Sequence, residues 1–169
     1  FASADAIVNE NIAANFINEV DYLFEDNPNP LEIKAFYSIQ QQMEVVHQQT
    51  YGEIIESIIT DEEERNKLFD ALNNYESIRE KAAWVFKYMN KNKSLAERLF
   101  AFIFVEGLQF QTSFASIFYF KKRNLMPGLV SSNEFISRDE GLHAKFSALM
   151  FKRVNALTNT VDEKLAYKI

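Results

Sequence analysis

Both histidines of this 169-residue chain lie in the same local motif, with a glutamate three residues before the histidine. The motifs are Glu44-Val45-Val46-His47 and Glu140-Gly141-Leu142-His143. Residues three apart in a helix lie on the same face about one turn apart, so a carboxylate and an imidazole at this spacing can bind one metal ion. A lone histidine on a helix is more often a structural residue, but two such motifs together predict four ligands of a metal site.

The helix faces that carry the two motifs are rich in apolar residues. Tyr37, Ile55 and Ile58 share the face of the first motif, whereas Ile136 and Phe151 flank the second. An ionised carboxylate in such surroundings costs several kcal/mol unless a counter-ion compensates its charge. The apolar faces therefore favour a bound cation.

Two further carboxylates are candidate ligands. Glu106 lies in the hydrophobic segment 99–108, where apolar residues share its helical face. A protonated glutamate, or one paired with a buried base, is the alternative interpretation. Asp5 lies among small and apolar residues and is weaker evidence, because an aspartate near a helix start is usually a cap.

Two Glu-x-x-His helices and one carboxylate from each of two other helices form the ligand set of ferritin-like dinuclear carboxylate proteins. Two divalent ions would balance the charge of the four carboxylates. Oxygen and imidazole ligands suit iron or manganese, and such a site can activate dioxygen. The residues thus predict an all-α, ferritin-like helical bundle with a dinuclear metal site in its core.

Tyr51 lies four residues after His47 and therefore on the same helical face. A phenol beside an oxygen-activating metal pair can be oxidised by one electron to a radical, which survives only where water and reductants are excluded. Phe110, Phe114 and Ile136 lie within two helical turns of the predicted ligands and can form such an apolar wall. The alternative is that Tyr51 is an ordinary aromatic core residue.

Hydrophobic periodicity predicts that helices position all of these residues. Four glycines and three prolines are too few for a fold of many short strands. Thr60 and Ser131 are the predicted N-caps of two helices, because a glutamate follows each of them by three residues. We expect a single ferritin-like domain over residues 1–169, truncated at both ends, since both termini read as helix interiors. The predicted helices span about 6–23, 31–59, 61–73, 75–90, 94–123 and 132–156, with a loop at 25–30.

The composition excludes several classes of protein. A net charge of −6 and an isoelectric point near 5.0 give no reason to expect binding to nucleic acid or to an anionic membrane. The absence of cysteine excludes disulfides, thiolate metal sites and a cysteine nucleophile, and makes the cytoplasm the expected location. The most apolar segment, 99–105, is far shorter than the roughly 20 residues of a membrane-spanning helix.

Seven segments of the chain match a known family. The most specific is 133–143, Asn-Glu-Phe-Ile-Ser-Arg-Asp-Glu-Gly-Leu-His, which is similar to the family signature almost letter for letter. The others are 4–11, 35–37 with 43–47, 105–107 with 113–118, and 121–129. Through them the chain resembles, over nearly its whole length, the small, radical-generating subunit of class I ribonucleotide reductase, in its eukaryotic and large-DNA-virus form.

This resemblance implies a role for each candidate residue. It implies two sets of metal ligands, one for each ion: Asp5, Glu44 and His47, and Glu106, Glu140 and His143. Tyr51 is the expected radical residue. The resemblance implies an apolar pocket around the radical: Phe110, Phe114 and Ile136. Asp139 is the expected carboxylate that orients the first histidine and relays electrons and protons.

The resemblance also implies an activity. Two iron ions per chain, with manganese as the alternative metal, would react with dioxygen and oxidise Tyr51. The radical would pass to a cysteine of the large catalytic subunit, which reduces ribonucleoside diphosphates to deoxyribonucleotides. A homodimer of small subunits is expected. The family's upstream tryptophan and C-terminal docking tail have no counterpart in these residues, and Trp84 is better interpreted as a packing residue.

Two other functions stay open from the residues alone. One is a related dimetal oxidase or hydroxylase in which Tyr51 has no redox role. The other is a non-catalytic metal-storage protein of the ferritin type. Storage is disfavoured, because the phenylalanine-rich faces leave no acidic route to a mineral cavity.

Overall fold

A computed structural model of the chain describes residues 2–19 and 30–169, and it describes residues 2–5 and Pro30 by their backbone alone. The chain divides into two compact units, Phe1–Arg79 and Glu80–Ile169. Across the described residues the elements are all helical and no β-strand occurs. The prediction of an all-α chain is therefore confirmed, whereas the prediction of one domain over residues 1–169 stays a prediction.

The first unit is built on two packed helices. Helix α1 (Ala2–Asn11) continues through the π-helical turn Ile12–Phe16 and packs against the long helix α2 (Pro30–Ile58). Between them, Gln41 Nε2 donates a hydrogen bond of 3.3 Å to Asn9 Oδ1. Buried residues recur along α2 at the three- and four-residue spacing of a helix face: Ile33, Tyr37, Gln40, Glu44, His47 and Tyr51.

Two short helices, α3 (Glu62–Phe69) and α4 (Ala71–Asn74), follow in the first unit. The N-cap of α3 is Asp61, and the prediction of Thr60 is wrong by one residue. Asp61 Oδ1 accepts a hydrogen bond of 2.8 Å from the backbone N–H of Glu64. Its carboxylate also interacts favourably with the positive end of the helix dipole, which a threonine hydroxyl does more weakly.

Helix α5 (Glu76–Met89) begins in the first unit and ends in the second. Its residue Trp84 is half-buried, and the centroid of the Trp84 ring lies 4.9 Å from that of Tyr88, one turn later. These contacts agree with the interpretation of Trp84 as a packing residue. The predicted loop at 25–30 lies outside the described residues, except that Pro30 begins α2.

The second unit consists mainly of two long antiparallel helical segments. Helix α6 (Leu95–Phe104) continues through the π-helical turn Val105–Gln109 into helix α7 (Phe110–Lys122), and both pack against the 32-residue helix α8 (Pro127–Thr158). The ring centroids of Phe100 and Phe151 are 4.9 Å apart near one end of this helix pair, and Lys121 pairs with Glu134 near the other end. A last short helix, α9, spans Glu163–Ala166.

The start of α8 differs from the prediction of Ser131 as its N-cap. The helix begins five residues earlier than predicted, at Pro127, after Met126 in the left-handed conformation with φ 49°. Proline suits a first helical position because its fixed φ is helical and its missing N–H has no partner there. The Ser131 hydroxyl instead donates to the carbonyl of Pro127 at 2.7 Å.

Within the described residues, no helix combines the length and the apolarity needed to cross a membrane.

Candidate metal centre

Three of the predicted ligands come together in the second unit. Glu106 lies in the π-helical turn between α6 and α7, and Glu140 and His143 lie on α8. Each of these side chains offers a ligand atom, and the three atoms lie within 4.8 Å of one another. All three residues are buried. The structure therefore forms a compact cluster of two carboxylates and one imidazole.

The π-helical turn is the local feature that places Glu106. A π turn inserts one extra residue into an α-helix and is frequent at functional sites. Immediately after Glu106, Gly107 faces Ala144 of α8, and a Cβ atom at Gly107 would lie in ordinary van der Waals contact with the Cβ of Ala144, at 3.5 Å. The turn and this packing together bring Glu106 to the face of α8 that carries Glu140 and His143.

The cluster is electrostatically unfavourable without a cation. Two ionised carboxylates at 4.8 Å repel each other by about 3 kcal/mol at an effective dielectric constant of about 20. A divalent ion would replace this repulsion with attraction, and carboxylate oxygen with imidazole nitrogen is a donor set that iron and manganese accept. The residues present therefore fit the metal that the sequence implies.

The two Glu-x-x-His motifs have a similar internal geometry. His143 Nδ1 lies 3.1 Å from Glu140 Oε2 in the second unit. In the first unit, His47 Nδ1 lies 3.6 Å from Glu44 Oε2. Ligand atoms that each bind one ion at about 2.1 Å lie about 3 Å apart when they are neighbours. Both motifs thus hold one oxygen and one nitrogen near the separation that a shared ion requires.

The remaining predicted residues lie on the expected helices. Tyr51 is buried on α2, one turn after His47. Asp139 is half-buried on α8, next to Glu140. The residues of the predicted apolar pocket are all buried in the second unit: Phe110, Phe114 and Ile136. Asp5 lies on α1, but its side chain is outside the described part of the structure.

Sequence reasoning missed a buried polar residue on the helix face that carries Glu140 and His143. Ser147 is fully buried on α8, four residues after His143 and seven after Glu140. The spacing of three, four and seven residues on one helix face was the signal that could have identified it. The π turn around Glu106 was also missed, and no pattern in the hydrophobic periodicity marks it.

Comparison with known proteins identifies the family. The family model "Ribonucleotide reductase, small chain" matches residues 1–169. The ribonucleoside-diphosphate reductase small chain of Yaba-like disease virus is 46% identical over 155 residues, which cover 91% of this chain and 45% of that protein. The small subunit of Dictyostelium discoideum is 43% identical over 169 residues, which cover 100% of this chain and 47% of that protein.

The chain spans about half the length of these relatives. A third relative, the small chain of Variola virus, is 46% identical over 154 residues and has 46% of its length covered. Viral and Dictyostelium relatives together confirm the predicted resemblance, and the match over the whole chain confirms the all-α, ferritin-like fold class. The chain belongs to the ribonucleotide reductase small-chain family.

Proposed function

We propose that this chain is the metal-binding part of a ribonucleoside-diphosphate reductase small subunit, which generates a tyrosyl radical for the large catalytic subunit. The observation that carries the proposal is the buried cluster of Glu106, Glu140 and His143 in a member of this family. When bound, the metal pair supplies the one-electron oxidation of a phenol with dioxygen as the oxidant.

Two sets of three residues would hold the ions. Glu106, Glu140 and His143 would bind one ion, which is supported by their mutual distances. The other set is Asp5, Glu44 and His47. It is supported by the matching geometry of the two Glu-x-x-His motifs and, for Asp5, by the family resemblance alone. We propose iron as the metal, with manganese as the alternative that elemental analysis distinguishes.

Tyr51 is the proposed radical residue. Its phenol is buried, and it lies one turn from His47 on the same face of α2. A buried phenol is shielded from water and from soluble reductants, so a radical there decays slowly. Phe110, Phe114 and Ile136 are proposed to exclude water around it, because all three are buried and have no polar side-chain atom.

Asp139 is proposed to hold the imidazole of His47. Carboxylates commonly accept the ring N–H of a metal-bound histidine, which fixes the orientation of the ring and raises its basicity. Asp139 is half-buried, so it is less shielded from solvent than the fully buried ligands of the cluster. This position suits a residue that relays electrons and protons between the metal site and a partner protein.

The partners follow from the same proposal. The relatives are named ribonucleoside-diphosphate reductase small chains, so we propose the large catalytic subunit as the partner and a second copy of the small chain as a further one. Dioxygen is the proposed co-substrate, and the cytoplasm is the proposed location. The alternative oxidase and storage functions gain no support, because the relatives are named as reductase small chains.

The test is electron paramagnetic resonance of the purified protein after ferrous ion and dioxygen are added. We expect a tyrosyl radical signal that is absent in Tyr51→Phe. Tyr37→Phe is the matched control, because Tyr37 is a buried phenol on the same helix, seven residues before Glu44 as Tyr51 is seven residues after it. Metal binding without any radical, or an unchanged signal in Tyr51→Phe, would contradict the assignment.

A further inference from the structure

Ser147 is a buried serine on the helix face of Glu140 and His143, and its hydrogen bonding is unexplained. Its side chain is fully buried, and within the described residues its Oγ has no hydrogen-bond partner. Buried hydroxyl groups are almost always hydrogen-bonded, because an unsatisfied one has lost its bonds to water without replacement. The hydroxyl of Ser147 therefore needs a hydrogen-bond partner that the described residues do not supply.

The other serines of α8 show how unusual this is. Serine hydroxyls inside helices usually bond to the backbone of the preceding turn. Ser131 donates to the carbonyl of Pro127 at 2.7 Å, and Ser132 donates to that of Gly128 at 2.9 Å. Ser137 donates to the carbonyl of Glu134 at 3.2 Å. Ser147 alone among the four makes no bond of this kind, although it is the most deeply buried.

The position of Ser147 identifies where its partner lies. Residues 140, 143 and 147 are spaced three and four apart, so they share one face of α8, and all three are buried. Side chains in a helix lean towards its N-terminus, so the hydroxyl of Ser147 leans towards the turn that carries His143. Along this face the preceding turn carries Ala144 and His143, so His143 is the next polar residue.

We propose that Ser147 is a positioning residue for His143 and that its hydroxyl bonds to the imidazole through one water molecule. Side chains four residues apart have Cβ atoms about 5–6 Å apart, which suits a bridge of one water better than a direct bond to a short serine. A metal-bound histidine commonly uses its second ring nitrogen to bond a carboxylate, a carbonyl or a water. The proposal rests on the proposed function, because it requires His143 to bind a metal ion.

If Ser147 has this role, removing its hydroxyl has different effects on the metal-free and the metal-bound protein. Without metal the ring orientation has no function, and the buried hydroxyl contributes little or nothing to stability. With metal the same hydroxyl holds the ring in the orientation that the ion requires. Removing the hydroxyl should therefore weaken metal binding and leave the metal-free protein as stable as before or more stable.

The experiment compares Ser147→Ala with wild type by anaerobic calorimetric titration with ferrous ion and by thermal melting of the metal-free protein. We expect ferrous affinity to fall about 10- to 100-fold in Ser147→Ala, with a melting temperature that is unchanged or higher. Ser147→Thr keeps a hydroxyl and should restore the affinity. Ser137→Ala is the matched control, because it removes a hydroxyl from the same helix. We expect this variant to bind ferrous ion like wild type.

An unchanged ferrous affinity in Ser147→Ala would overturn the role of Ser147, whichever way the melting temperature moves. His143→Ala separates this outcome from failure of the proposed function. If His143→Ala loses an ion while Ser147→Ala binds like wild type, the metal site stands and the role of Ser147 does not. If wild type binds no ferrous ion, both are wrong.

Discussion

Glu106→Gln tests whether the buried cluster is held in a state that only a cation makes favourable. The substitution keeps the shape of the side chain and removes one of the two charges that lie within 4.8 Å of each other. At an effective dielectric constant of about 20, that removal relieves about 3 kcal/mol of repulsion in the metal-free protein. The metal-free variant should therefore be more stable than wild type, which is unusual for a substitution at a fully buried residue.

The effect is large enough to measure by thermal melting. For a domain of this size, 1 kcal/mol moves the melting temperature by roughly 2–4 °C, so metal-free Glu106→Gln should melt about 6–12 °C higher than wild type. The order should reverse with saturating metal, because wild type gains binding energy that the variant has lost with its ligand. The assay is a pair of melts, one with a chelator and one with ferrous ion under anaerobic conditions.

Glu134→Gln controls for the general effect of removing negative charge from an acidic chain. Glu134 lies on the same helix, but it is exposed and pairs with Lys121, so its removal should slightly destabilise the protein in both conditions. If metal-free Glu106→Gln melts below wild type, the reasoning is wrong. Glu106 would then be protonated, or paired with a buried base, which is the alternative interpretation of its sequence context.

Three further predictions concern the helices that position the cluster. Ser94→Ala should lower the stability by about 1 kcal/mol in chemical denaturation, because Ser94 caps α6 through a bond of 3.1 Å from the Glu97 N–H. Burial raises the pKa of Glu97, but hydrogen bonds from Ser94 and Lys93 outweigh it and lower the pKa below 4.5. The stability that Glu97 contributes is therefore present above about pH 4.5 and lost as the pH falls through the lowered pKa, so Glu97→Gln should flatten the acid limb of a stability profile. Gly141→Ala should raise the melting temperature, because a Cβ at this helical position meets no atom within 4 Å and alanine gains about 0.5–1 kcal/mol over glycine.

The sequence was sufficient for features that depend on spacing within one helix. The residues at 37, 44, 47 and 51 are buried together on α2 because their spacing follows the helical period. The two Glu-x-x-His motifs likewise place oxygen and nitrogen at 3.6 Å and 3.1 Å, since residues three apart face each other in any α-helix. The bounds of α2 and of the segment from α6 to α7 were predicted to within one residue for the same reason.

Features set by competition between neighbouring residues were predicted less well. Thr60 and Asp61 can both cap a helix, and the choice of Asp61 depends on the carboxylate and on backbone angles that the local motif does not encode. Helix α8 begins at Pro127, so Ser131 lies inside the helix and is not its N-cap. The π turn at Glu106 is an insertion of one residue into a helix, and hydrophobic periodicity does not mark such an insertion.

The division of the chain into two units bears on how the two ions would be bound. The proposed ligands Asp5, Glu44 and His47 all belong to the unit 1–79, whereas the cluster of Glu106, Glu140 and His143 belongs to the unit 80–169. Each unit thus carries two carboxylates and one imidazole, a set whose charge one divalent ion balances. If each ion depends mainly on its own unit, His47→Ala and His143→Ala should each retain close to one metal ion per chain, and the double variant none. Elemental analysis of the three variants decides this, and loss of both ions from either single variant would show that the two sets bind metal only together.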